Sequence, residues 1–107
     1  MNKLEKDLEA KLVKGIKAAG GLCLKWVCPG WAGVPDRIVI LHRRIFFVEM
    51  KRPKGSVVAE RQKWWAEKLR EYGFEVFTAF TDFQVDDIVE EAEDWELAAK
   101  RVRGEFY

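Results

Sequence analysis

Between Gly33 and Lys51 the chain sets charge against two short apolar runs in a way that leaves few folding options. Gly33-Val34-Pro35-Asp36 leads into Arg37-Ile38-Val39-Ile40-Leu41; His42-Arg43-Arg44 interrupts; Ile45-Phe46-Phe47-Val48-Glu49-Met50-Lys51 follows. Both runs are rich in Ile, Val and Phe and too short for buried helices, so each predicts a strand. The three polar residues between them predict a tight hairpin loop. With Leu41 and Ile45 closing the hairpin, Asp36 falls opposite Met50, with Glu49 and Lys51 as its diagonal neighbours, and a register off by one does not separate them. Glu49 and Lys51 share a face, roughly 7 Å apart at about 3.3 Å per residue. An aspartate, a glutamate and a lysine thus converge at one end of an otherwise apolar hairpin, where charge is costly to bury without a partner. A divalent cation is the partner that suits them.

Composition limits what such a site can belong to. The 107 residues predict a single domain, with room for one core of about five or six elements. With 49% hydrophobic and 35% charged residues the chain reads as globular rather than disordered. Nineteen basic and eighteen acidic residues leave a net charge of +1, so bulk charge does not mark a nucleic-acid binder, and any such role must come from local clustering. Cys23 and Cys28 have no His or further Cys nearby to make a zinc site and are expected to be reduced thiols. No apolar run reaches the roughly 20 residues of a membrane span, and the charged start Met1-Asn2-Lys3-Leu4-Glu5 does not read as a signal peptide. The expected location is the cytoplasm, away from membranes.

The remaining elements follow from periodicity. Leu4, Leu8, Leu12 and Ile16 predict a helix over 3–19 that Gly20-Gly21 ends; Glu5 and Glu9 fall in or beside its apolar stripe, either as rim carboxylates paired with Lys11 or Lys14 or directed toward Asp36 and Glu49. Residues 22–27 predict a first strand, and Pro29-Gly30-Trp31-Ala32-Gly33 a loop. Trp31 has no apolar neighbours in sequence; it either folds onto the core or stands free to stack on a base or wedge a junction. After the hairpin, Arg52-Pro53-Lys54-Gly55-Ser56 reads as a basic loop, so that Lys51, Arg52 and Lys54 gather positive charge where a phosphate could bind. Ser56 suits the N-cap of a helix over about 58–72, with Trp65, Leu69 and Tyr72 on one face and Gln62 on that same face. Gln62 is there either solvated or able to orient a water or a phosphate. Residues 74–80 predict another strand. Thr81 or Asp82 caps a helix carrying Phe83, Ile88, Val89 and Ala92, with 93–103 as its continuation or a further helix. Trp64, Trp95, Phe106 and Tyr107 add more aromatic surface than so small a domain hides, which suggests a partner surface, a second copy of the chain included.

The order is helix, three strands, helix, strand, helix. Pro35-Asp36 followed by Glu49-Met50-Lys51 resembles the PD-(D/E)xK motif of restriction-endonuclease-like nucleases. Leu8-Glu9, Gly33-Val34-Pro35-Asp36, Phe47-Val48-Glu49-Met50-Lys51 and Gln62 together are similar to the virus-type replication-repair nuclease (VRR-NUC) family, from about residue 5 to residue 80. The resemblance says little about a C-terminal helical extension from about residue 82. It implies an α/β fold with a restriction-endonuclease-like αβββαβ core, a mixed sheet flanked by helices. It also implies a divalent-metal phosphodiesterase acting on DNA. Carried over by position, Glu9, Asp36, Glu49 and the carbonyl of Met50 would ligate Mg²⁺ or Mn²⁺, and Glu9 rather than Glu5 matches the family's helix position.

The chemistry asked of such residues is neutralisation of charge on a pentavalent phosphorus and activation of a water in line with the leaving oxygen. Asp36, Glu49, Lys51 and Gln62 are the expected catalytic set, with Lys51, Arg52, Lys54 and Trp31 expected to meet DNA. Stand-alone members of the family resemble Holliday-junction resolvases, which implies a homodimer cutting branched DNA, of junction or flap type. Two other readings stand beside this one: a module that keeps the nuclease fold to bind DNA or assemble without cleaving, and a sequence-specific restriction-type enzyme, for which the chain has little room for a recognition domain.

Overall fold

The computed structural model describes residues 5–51 and 60–102. Their elements are α1 (Glu5–Ala19), β1 (Leu22–Lys25), β2 (Arg37–Leu41), β3 (Arg44–Met50), α2 (Glu60–Glu71), β4 (Glu75–Ala79) and α3 (Asp82–Val102). The element order is the one expected from the sequence, and the fold is a mixed sheet flanked by helices. The strands run in the order β1-β2-β3-β4, antiparallel for the first two pairings and parallel between β3 and β4. The parallel step follows from connectivity, because α2 carries the chain back across the sheet before β4 begins. No helix among the described residues is long and apolar enough to cross a membrane.

Strand alternation divides the sheet between two cores. Val39, Leu41, Phe46, Val48 and Met50 pack with Leu8, Leu12 and Ile16 of α1 and with Val85, Ile88 and Ala92 of α3. The opposite face sends Phe47 and Val76 against Leu69 of α2, with Trp26, Ile38 and Trp65 around them. Each fully buried aliphatic side chain contributes about 1.5–3 kcal/mol, so packing rather than local propensity holds a helix as short as α1. At its end the N–H of Gly20 (φ 99°) donates to Lys17 O and that of Gly21 to Ile16 O, the paired bonds that close a helix on a left-handed residue. The same pair, from Gly73 and Phe74, closes α2.

The expected hairpin loop is corrected by one residue. Leu41 pairs with Arg44, so the loop is His42-Arg43 and Arg44 belongs to β3. Arg37 pairs with Val48, and one further step along the ladder sets Asp36 level with Glu49 instead of Met50. A two-residue loop needs a left-handed residue, and Arg43 supplies it at φ 62°. The C-terminal helix holds this turn in place. Glu96, buried in α3, accepts from the His42 N–H at 2.7 Å and meets its Nδ1 at 2.7 Å, while the Trp95 indole donates to His42 O at 2.7 Å. Trp95 also lies under the Arg44 guanidinium, which pairs with Glu75 and Glu91. Its aromatic surface is therefore engaged in part within the chain, the residue remaining 37% exposed.

The two segments expected from residue 82 onward are one continuous helix. Thr81 caps it: Gln84 N donates to Thr81 Oγ1, and Gln84 Oε1 accepts from Thr81 N in return. The first strand ends at Lys25, although Trp26 N still donates to Asp36 O and extends the pairing by one bond. Arg52, Lys54, the Ser56 cap and the predicted start of α2 at Val58 lie outside the described residues, as do Leu4, Phe106 and Tyr107.

Candidate active site

Asp36, at the entry to β2, and Glu49, near the end of β3, face the side of the sheet that α2 covers. Asp36 is fixed by the backbone of the neighbouring strand, its Oδ2 accepting from Met50 N–H at 2.8 Å. Glu49 is buried, and its Oε1 accepts from the side-chain amide of Gln62 at 3.3 Å. Lys51 shares the face two residues on, with Nζ 3.9 Å from Glu49 Oε1 and its main-chain N–H held by Ala79 O. Sheet, helix and loop thus bring together Asp36, Glu49, Lys51 and Gln62, four of the residues singled out by the sequence. Glu49 and Gln62 border a cavity of about 170 Å³ whose wall includes Pro35, Lys63, Arg70 and Thr78.

Burial pushes the Glu49 carboxyl up to about 8, reinforced by its hydrogen bond to Asp36 and the charges of Asp36 and Glu5, with Lys51 pulling the other way. Two carboxylates sharing one poorly solvated site cannot both ionise comfortably, so one of them keeps a proton. A cation between them would remove that conflict. Asp36, Glu49 and the nearby Met50 carbonyl are hard oxygen donors, and Mg²⁺ is commonly held by one or two carboxylates with water and phosphate filling its remaining positions. The residues present fit such an ion.

Glu9 is not brought into this group. Its Oε2 accepts from Arg37 Nε at 2.7 Å, and Arg37 Nη1 reaches Cys23 O, on the side of the sheet that α1 covers. The α1 carboxylate whose charge reaches Glu49 is Glu5. Among the described residues, no group of three or more His, Cys, Asp and Glu side chains is arranged to hold a metal ion. Arg37 was missed in the sequence, although its place gave a signal: it follows Asp36 directly, so alternation sends it to the opposite face, toward a helix that carries carboxylates. Burial raises the Cys23 thiol to about 11, which leaves it unreactive at neutral pH.

No family model matches the chain. Over 50 residues it is 46% identical to "Putative nuclease p44" of Acyrthosiphon pisum secondary endosymbiont phage 1. That stretch is 46% of this chain and 54% of the phage protein, so the chain spans about half the length of the curated relative it matches. A solved structure described as a VRR_NUC domain superposes with a TM-score of 0.74 at 33% identity, covering 80% of this chain and 94% of that one. One third of the residues being identical over nearly the whole of that solved domain, the chain belongs to the VRR-NUC family.

Proposed function

We propose that this chain hydrolyses phosphodiester bonds in DNA with Mg²⁺ or Mn²⁺ held at Asp36 and Glu49. The observation that carries this reading is the side-by-side placement of Asp36 and Glu49, with the Gln62 amide 3.3 Å and the Lys51 ammonium 3.9 Å from the Glu49 carboxylate. Asp36, Glu49 and the Met50 carbonyl would hold the ion. Glu9, held by Arg37 on the α1 side of the sheet, would reach the ion only by leaving Arg37 and is not counted in this set. When bound, such an ion polarises the phosphate and lowers the pKa of a coordinated water.

The chain's own groups do the remaining work. Lys51 offsets the charge that grows on the phosphate oxygens as the phosphorus becomes five-coordinate. Gln62, anchored on Glu49, orients the attacking water or a phosphate oxygen. Met50 N–H holds Asp36 in place, so that little reorganisation is needed when substrate arrives. Lys51, with Arg52 and Lys54 of the adjoining segment, supplies the contacts to the DNA backbone.

The finer reading is structure-selective cleavage of branched DNA by a homodimer, because cutting both strands of a symmetric junction takes two active sites. An exposed apolar row on the sheet, Leu22, Leu24 and Ile45, supports a surface that a second copy would cover. The test compares wild type with Asp36→Ala on linear, flap and four-way DNA in Mg²⁺, Mn²⁺ and EDTA. Metal-dependent cleavage that Asp36→Ala abolishes, with folding and DNA binding retained, is the expected result. Binding without cleavage by the wild type would leave a silent DNA-binding module instead.

A further inference from the structure

Two large apolar side chains, one on the loop before β2 and one on α2, are left in water. Trp31 is 58% exposed and Trp64 45%, yet they are not scattered. Their rings lie within 17° of parallel with centroids 6.4 Å apart. Trp65 stands edge-on to both, at 5.9 and 5.3 Å. With Gly30, Ala32 and Arg61 the three tryptophans line a cavity of about 320 Å³, at the lower end of the size of small-molecule sites. A planar ring system held between two others needs them roughly 7 Å apart, twice the about 3.4 Å spacing of stacked bases. The centroid separation of 6.4 Å is an upper limit on the gap between the ring planes, so the rings part to admit a base.

The surroundings favour a nucleic-acid occupant over an apolar one. Arg61 lines the cavity; Lys63 and Lys68 follow along α2, paired at the surface with Glu60 and Glu71, and the Lys68 ammonium is 5.8 Å from the centroid of the Trp64 ring. Cations interleaved with exposed aromatic faces are what a single strand meets on the proteins that bind it, its backbone drawn by charge and its bases by stacking.

The cavity is also tied to the acidic pair. Arg61 precedes Gln62, which touches Glu49. Gly33, at φ 91°, rests so closely on α2 that an added Cβ would lie 2.7 Å from Arg61 Cβ and 2.8 Å from its carbonyl carbon. That close approach seats the loop carrying Trp31 against the first turn of α2, five residues before Asp36.

We propose that Trp31, Trp64 and Arg61 form a clamp for one unpaired base of a DNA strand whose phosphate lies at Asp36 and Glu49. The preferred substrate then presents a single-stranded nucleotide beside the cut. The location of the cut rests on the nuclease reading above; the clamp itself does not.

The probe is a fluorescein-labelled DNA duplex, blunt or with a four-nucleotide single-stranded tail, titrated with the full chain in EDTA so that nothing is cleaved. Tailed DNA should bind more tightly than blunt DNA and quench tryptophan fluorescence. Trp31→Ala and Trp64→Ala should each weaken binding of the tailed DNA about tenfold, the loss of one base stack, without changing binding of the blunt duplex. Trp31→Phe should restore part of the loss. Equal weakening on both DNAs, or no weakening on either, overturns the proposal. So does a sedimentation shift from dimer to monomer in either variant, which would make the cavity a face between copies. Failure of the nuclease reading would appear separately, as clamp-dependent binding with no cleavage once Mg²⁺ is restored.

Discussion

Replacing Glu49 with glutamine should make the metal-free protein more stable at alkaline pH. Glutamine keeps the shape of a protonated glutamic acid: its carbonyl can accept from Gln62 and its amide can donate to Asp36. In the folded protein Glu49 titrates at about 8 against an ordinary 4.5. A raised pKa means that the native state holds a proton the unfolded chain has released. The stabilising contribution is therefore complete below pH 4.5, declines above it, and is lost by the time pH has risen through about 8. At 1.36 kcal/mol per pH unit the full shift corresponds to about 5 kcal/mol, a ceiling that relaxation of the site reduces to roughly 2–4 kcal/mol, still a large part of a small domain's stability. Urea denaturation in EDTA at pH 5, 7 and 9 measures it. Wild type should lose roughly 2–4 kcal/mol relative to Glu49→Gln between pH 5 and 9, and Mn²⁺ should recover most of that loss by taking the proton's place. Parallel pH profiles for the two proteins would refute the shared-proton reasoning.

Further outcomes follow from the same geometry. Gly33→Ala should cost about 1–3 kcal/mol from its left-handed backbone alone, and because the Cβ, carbonyl carbon and carbonyl oxygen of Arg61 that it would meet are fixed by α2 it should lower DNA cleavage as well; unchanged urea midpoints would contradict the close approach. Glu96→Ala should destabilise by about 1–3 kcal/mol, since it leaves the His42 N–H without its carboxylate, and a midpoint equal to that of wild type would show that the turn does not depend on α3. Calorimetric titration with Mn²⁺ should find binding abolished in Asp36→Asn and weakened less in Glu9→Gln, whose carboxylate stands against Arg37; equal losses would put Glu9 on a par with Asp36. Leu24→Arg, on the exposed row of the sheet, should turn the proposed dimer into a monomer by sedimentation, and a dimer unaffected by it would move the contact elsewhere.

What the sequence made legible is what alternation and periodicity govern. The elements and their order, the placement of Glu49 and Lys51 on one face, and the approach of Asp36 all follow from period-two patterning that survives a one-residue slip. The slip itself came from the turn. Arg44 reads as loop because it is charged, but in β3 its guanidinium lies over Phe46 and Trp95 and pairs with Glu75 and Glu91, contacts assembled from distant parts of the chain. Glu96 was invisible for a similar reason. A glutamate among charges on a late helix looks solvated, and only the arrival of the His42 turn makes its burial affordable. Glu9 shows where a family pattern and local geometry diverge: its position in the sequence matches a ligand, while the nearest strong cation, Arg37, holds its carboxylate. The tryptophan cavity needed three dimensions as well, since Trp31 and Trp64 come from a loop and a helix more than thirty residues apart.

The most direct test of the central claim is a crystal soaked in Mn²⁺ and measured at a wavelength where manganese scatters anomalously. A peak within coordination distance of carboxylate oxygens from both Asp36 and Glu49 is the predicted result. Saturating Mn²⁺ that leaves no peak between those two side chains would contradict it.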